Sequence, residues 1–144
     1  MKSIPNKVFS IFLSASMLAS LLPASALAAG FSDVPQGAYY QDAVEWAAQN
    51  LITSGTGSTT FSPNEICTRA QAVTFLWRSA GQPDATGSSP FADVAASSYY
   101  NEAVQWAVTN GITSGTSAAT FEPDAPVTRA QVVTFLYRDA GSPS

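Results

Sequence analysis

The 144-residue chain is 46% hydrophobic and carries ten Asp and Glu against six Lys and Arg, with no His and one Cys. Both Lys stand at positions 2 and 7, so the rest of the chain sets four Arg against ten carboxylates, a net charge of −6. That balance suits neither nucleic acid nor an anionic lipid surface, whose affinity comes from many cations neutralising phosphates. Without His or a downstream Lys, the usual general bases and amine nucleophiles are also missing.

The first element reads as an address. Lys2 and Lys7 give a basic start, an apolar run covers 8–22, and small residues at Ala26 and Ala28 complete the pattern of a secretory signal peptide over 1–28. The run is shorter than the roughly 20 residues that span a bilayer, so cleavage after Ala28 with no retained membrane anchor is expected. In the secreted remainder the lone Cys67 cannot close an internal disulfide. It reads as a small buried apolar residue, since Val127 takes its place in the second copy described below; an intermolecular disulfide or a reactive thiol is the other reading.

Next, "YYQDAVEWAAQN" over 39–50 places Tyr40, Ala43, Val44 and Ala47 at helical spacing, which predicts an amphipathic helix of about three turns. A loop rich in Gly, Ser and Thr follows and closes at Pro63. A second helix is then bounded at both ends: Thr68 with Gln71 forms a capping box, and Gly81 supplies the stop. Ala70, Val73, Leu76, Trp77 and Ala80, widened by Phe75, make this helix apolar over much of its circumference and mark it as the core. Arg69 is a misfit, because a cation at a helix N-terminus is unfavourable by about 0.3–1 kcal/mol. A carboxylate or a bound anion nearby would account for it.

After a Pro, Gly and Ser-rich linker over 82–90, every one of these phrases returns. Shifting the chain by 60 residues aligns 31–81 with 91–141 without a gap, and 29 of the 51 positions are identical. Thr128, Arg129, Gln131 and Gly141 repeat Thr68, Arg69, Gln71 and Gly81. One such unit cannot bury its own apolar face, so the two copies, 29–81 and 91–144, are expected to cover each other. Leu51 stands where the second copy has Gly111, which predicts a different turn and a poorer groove in the first copy.

The ordered blocks F-x-D-V, A-V-x-W-A, G-T…F-x-P and T-R-A-Q resemble two tandem S-layer homology (SLH) motifs and cover nearly all of the chain after the signal. The resemblance implies an all-α fold of helix-loop-helix repeats packed as pseudo-symmetric lobes of a small bundle. It also implies a secreted protein held noncovalently on the cell wall or S-layer of a bacterium. In the family three motifs commonly form a three-lobed prism whose grooves bind secondary cell wall polysaccharide, often pyruvylated. With two copies, this chain is expected to self-associate, borrow a lobe from another SLH protein, or work as a two-lobe form.

Carried over by position, the ligand-binding role falls on Arg69 and Arg129, whose guanidinium can pair two donors with one carboxylate. Trp46 and Trp106 are candidates for stacking on a sugar face. Asp33 and Asp93 would accept sugar hydroxyls or hold the Arg, although an Asp at such a place is usually a cap or turn former. Gln71 and Gln131 replace the family's common Glu, which keeps the capping box and removes a charge. The alternative to glycan binding is a structural protein whose lobes assemble with SLH lobes elsewhere. A catalytic role has only scattered carboxylates such as Glu45 and Glu102 to rest on, and Glu45 becomes Gln105 in the other copy. No catalytic residue and no cofactor is expected, and no metal either, since no calcium-loop pattern appears.

Overall fold

The computed structural model describes residues 30–144. The expected signal peptide lies outside them. Four helices follow in chain order: α1, Gln41–Gln49; α2, Arg69–Ser79; α3, Asn101–Thr109; and α4, Arg129–Asp139. Among the described residues the only extended pairing is an isolated bridge between Thr68 and Pro126. The architecture is all-α, two helix-loop-helix lobes in tandem.

Both longer helices begin as their sequence dictates. The Thr68 hydroxyl accepts from the Gln71 N–H at 3.2 Å, while the Gln71 side chain accepts from the Thr68 N–H at 2.9 Å, and Thr128 with Gln131 does the same at the same distances. At the other end Gly81 and Gly141 take φ of 88° and 78°. Gln82 N–H then reaches back to the Trp77 carbonyl and Gly81 N–H to that of Arg78, the paired bonds that close a helix through a left-handed residue. The shorter helices are less marked: α1 and α3 start after Tyr40 and Tyr100 without a side-chain cap.

The expectation for Leu51 is overturned. Leu51 adopts φ 60°, close to the 67° of Gly111, and the flanking bonds Ile52 N–H to Ala47 and Ile112 N–H to Ala107 are both 2.8 Å. The turn is therefore the same in both copies, because the surrounding bonds hold Leu51 in a conformation that glycine takes without strain.

Each lobe is tied together by polar bonds across its loop. The Asp33 carboxylate accepts from the N–H groups of Phe61 at 2.8 Å and Ser62 at 2.7 Å, and Asp93 does the same for Phe121 and Glu122. The Phe31 and Phe61 rings lie 5.6 Å apart, and Phe91 and Phe121 5.8 Å apart. Gly55 and Gly115 sit against Phe31 and Phe91 at φ 80°, where an added Cβ would collide with ring and backbone. At the exit of the long helices Arg78 and Arg138 donate to the Ile52 and Ile112 carbonyls, fastening each to the turn after the shorter helix.

The core lies between the copies. Ala70, Val73 and Trp77 of α2 pack with Ala103, Val104, Trp106 and Ala107 of α3, joined by Phe91, Ile112 and Phe121 from the second lobe. The linker closes one end, with the Trp77 indole N–H donating to the Pro83 carbonyl. The expected core role of the long helix thus holds for α2 and not for α4, where Val133, Leu136 and Tyr137 face solvent. The reason is that the α4 stripe has no third lobe to meet within the described residues.

Candidate functional site

The junction of the two lobes is built on the start of α2. Its first N–H groups, which a helix cannot satisfy internally, donate to carbonyls of the second lobe: Arg69 to Ala125 at 2.9 Å and Ala70 to Pro123 at 3.0 Å. In return Val127 N–H donates to the Cys67 carbonyl at 3.1 Å. The Arg69 side chain, only 4% exposed, continues the clasp. Its Nε donates to the Phe121 carbonyl at 2.9 Å, and the guanidinium carbon lies 5.0 Å from the Phe121 ring centre and 5.6 Å from that of Phe135. Desolvation pushes its pKa down and the Glu122 carboxylate offsets part of that.

This clasp explains the misplaced cation at the helix start. The unfavourable dipole term, about 0.3–1 kcal/mol, is outweighed by a charged hydrogen bond, which contributes about 1.5–3 kcal/mol, together with contacts to two aromatic faces. Arg129 has no such partner among the described residues and is exposed.

Beside the clasp lies a cleft of about 570 Å³. The first loop supplies hydroxyls from Thr53, Ser54, Thr56 and Ser62 to one wall. Gln71, Phe75 and Arg78 of α2 form the floor, Glu65 and Cys67 line the rim, and Tyr99 of the second lobe reaches across. Partial burial pushes the Tyr99 phenol up, with Tyr100 and Asp124 adding to the shift, so the hydroxyl stays a donor at neutral pH. Burial likewise raises the half-buried Cys67 thiol, which is free. Among the described residues no group of three His, Cys, Asp or Glu is placed to hold a metal ion.

Chemically the cleft combines several hydroxyls, three aromatic rings, one guanidinium and one carboxylate. Such a set can hold a sugar by hydrogen bonds to its hydroxyls, packing on its C–H face, and a charged contact to an acidic substituent.

None of the six residues singled out from the sequence lines this cleft. Arg69 is turned into the lobe junction. Trp106 is packed in the core at 8% exposure, whereas its duplicate Trp46 stands 57% exposed on α1. Asp33 and Asp93 are spent on loop N–H groups. For Asp33 the bond from Phe61 is the chief cause of a lowered pKa; for Asp93 desolvation pushes upward, but the N–H donors of Phe121 and Glu122 outweigh it. Asp33 shapes the wall from behind, since Phe61 and Ser62 both line the cleft. Arg78 and Tyr99 do line it, and each recurs in the other copy, as Arg138 and Tyr39, a repetition visible in the sequence.

Two stretches, 30–73 and 90–133, match the model of the S-layer homology domain. The chain is 30% identical over 132 residues to the surface-layer 125 kDa protein of Lysinibacillus sphaericus, covering 91% of this chain and 11% of that protein. It is 30% identical over 128 residues to a cell surface protein of Thermoanaerobacter kivui, covering 81% and 17%. An endoglucanase of Bacillus sp. (strain KSM-635) is 31% identical over 108 residues, covering 75% and 11%. The chain therefore spans less than a fifth of the length of these curated relatives.

Proposed function

Because this chain belongs to the S-layer homology domain family, we propose that it is a noncatalytic module that holds its bearer on a bacterial cell wall by binding secondary cell wall polysaccharide in the cleft between its lobes. The observation that carries this reading is the cleft itself, in which Arg78, Tyr99 and the loop hydroxyls converge across the lobe junction. A share of sequence common to a surface-layer protein and an endoglucanase supports a shared means of attachment over a shared reaction. The Arg78 guanidinium would meet an acidic substituent of the glycan, and Tyr99 would pack on a sugar ring. Arg69, Trp106, Asp33 and Asp93 then act at one remove, by fixing the junction and the loop wall. A signal peptide over 1–28 would deliver the chain to that surface.

The test is co-sedimentation of the protein with purified walls, native or stripped of their secondary polysaccharide. Native walls should retain the protein and stripped walls should not. Tyr99→Ala, which removes a largely exposed ring, and Arg78→Gln should each weaken retention by about tenfold or more, equivalent to roughly 1.4 kcal/mol, with helicity unchanged. Undiminished retention of both folded variants would overturn the assignment of the cleft.

A further inference from the structure

Of the chain's five Asn, only Asn110 is followed by Gly. That pair has a chemistry of its own. The Gly111 backbone nitrogen can attack the Asn110 side-chain carbonyl carbon, because no Cβ on the following residue screens the nitrogen or resists the conformation that closes the ring. In the same place the first copy has Asn50 and Leu51, whose branched side chain obstructs that approach. The two turns are otherwise matched. Asn50 and Asn110 close α1 and α3 with φ/ψ of −91°/11° and −90°/9°, and each side-chain amide donates to a tryptophan carbonyl, that of Trp46 or Trp106, at 2.8 Å.

Backbone bonds hold the Asn110 turn shut. Gly111 N–H donates to the Val108 carbonyl at 3.0 Å, and Ile112 and Thr113 N–H both reach that of Ala107, at 2.8 and 3.2 Å. The nitrogen that would attack is therefore engaged, and the amide it would attack is held on the Trp106 carbonyl. Ile112 is buried, and its carbonyl accepts from Arg138 at 3.1 Å, so α4 fastens the turn as well. Asn110 and Gly111 are themselves exposed, which puts water at hand.

We propose that Asn110 is a gated self-modification site, inert while this turn is closed and converted to aspartate or isoaspartate when the turn opens. In the first step the Gly111 nitrogen gives its proton to hydroxide and bonds to Asn110 Cγ, while the Cγ–Nδ2 bond breaks and Nδ2 takes up a proton and leaves as ammonia. Water then opens the cyclic imide at either carbonyl. The outcome is aspartate, or isoaspartate in which the chain runs through the former side chain. No oxidant or reductant takes part.

The product undoes the turn that guarded it. Either form loses the Nδ2 donor to Trp106 and sets a carboxylate beside the unpaired carbonyls at the end of α3, where negative charge is unfavourable. Isoaspartate also adds a methylene to the backbone ahead of Ile112, which displaces it from its bond to Ala107. Trp106 and Ile112 belong to the core between the lobes, so one opening event leaves a permanent weakness at the junction. The first copy, with Leu51, escapes it. The inference concerns the turn after α3 alone and stands whether or not the cleft binds glycan.

The experiment incubates the full chain in mildly alkaline buffer, with and without urea, and follows Asn50 and Asn110 by peptide mapping with mass spectrometry. In urea Asn110 should convert at least about tenfold faster than Asn50, a barrier difference of roughly 1.4 kcal/mol or more, and Gly111→Leu should remove the difference. Without urea the conversion of Asn110 should itself slow by about tenfold or more, since only open molecules react. Arg138→Gln frees the Ile112 carbonyl and leaves the Asn-Gly pair intact; it should speed conversion in buffer several-fold and leave the rate in urea unchanged. Equal rates for the two Asn in urea would overturn the lability of Asn110. A rate in buffer equal to that in urea, or one that Arg138→Gln does not raise, would overturn the gate. Converted protein, separated by its extra negative charge, should unfold at lower urea concentration than unconverted protein, and an unchanged midpoint would overturn the proposed damage to the junction.

Discussion

The two copies are nearly the same sequence placed in different surroundings. Trp46 and Trp106 occupy the same position of the same helix, yet one is mostly solvated and the other is packed in the core. Arg69 and Arg129 open identical capping boxes, but among the described residues only Arg69 has a carbonyl and two rings to meet. The difference teaches that the SLH phrase encodes an interface as much as a helix pair. What a residue contributes depends on whether a neighbouring lobe stands on its side.

The largest contrast should come from the tryptophans. Trp106→Ala opens a hole among Ala70, Val73 and Trp77 and is expected to cost about 3–5 kcal/mol in denaturant unfolding, while Trp46→Ala in the dilute single chain should stay within about 0.5 kcal/mol. Equal losses would break the comparison, because they would mean that α1 is covered as well as α3. The arginines should follow the same pattern at smaller scale. Arg69→Ala leaves the Phe121 carbonyl buried without its donor and removes the contact with two rings, a loss of about 2–3 kcal/mol; Arg129→Ala in the same dilute chain should be nearly neutral.

The smallest effect appears only in acid, and there the copies should behave alike. Asp33 and Asp93 both have lowered pKa values in the fold, through N–H donors from the loop that outweigh desolvation at Asp93. A group whose pKa falls on folding lends stability that is fully present above its unfolded value, about 3.9 for Asp. That stability is lost as pH drops from there through the folded value. Acid unfolding of the wild type should therefore steepen below about pH 4, and Asp33→Asn or Asp93→Asn should each flatten part of that slope when followed by tryptophan fluorescence. A slope that neither substitution changes would place the acid-sensitive groups elsewhere.

Legibility in the sequence followed the range of the interaction. Helix starts and stops were readable because Thr68 with Gln71, and Gly81, act within four residues of where they stand. The candidate site was read less well. The oddity of Arg69 was visible as a charge at the wrong end of a helix, but its partner is the Phe121 carbonyl, 52 residues away, and no local pattern points to a carbonyl. Asp33 likewise looked like a turn former or a ligand group, whereas its acceptor oxygens serve N–H groups 28 and 29 residues on. Leu51 misled in the opposite direction, since residue preference forecast a different turn and the neighbouring hydrogen bonds imposed the same one.

The sequence by itself determined the duplication, the helices with their caps, and the apolar stripes that must be covered, because these follow from short-range periodicity and backbone preference. Only the tertiary structure decided which of two equal stripes is covered, which arginine is buried and where a cleft opens. Those outcomes depend on what lies on the other side of a face, and two lobes joined in sequence form one junction between them while leaving one face of each lobe open.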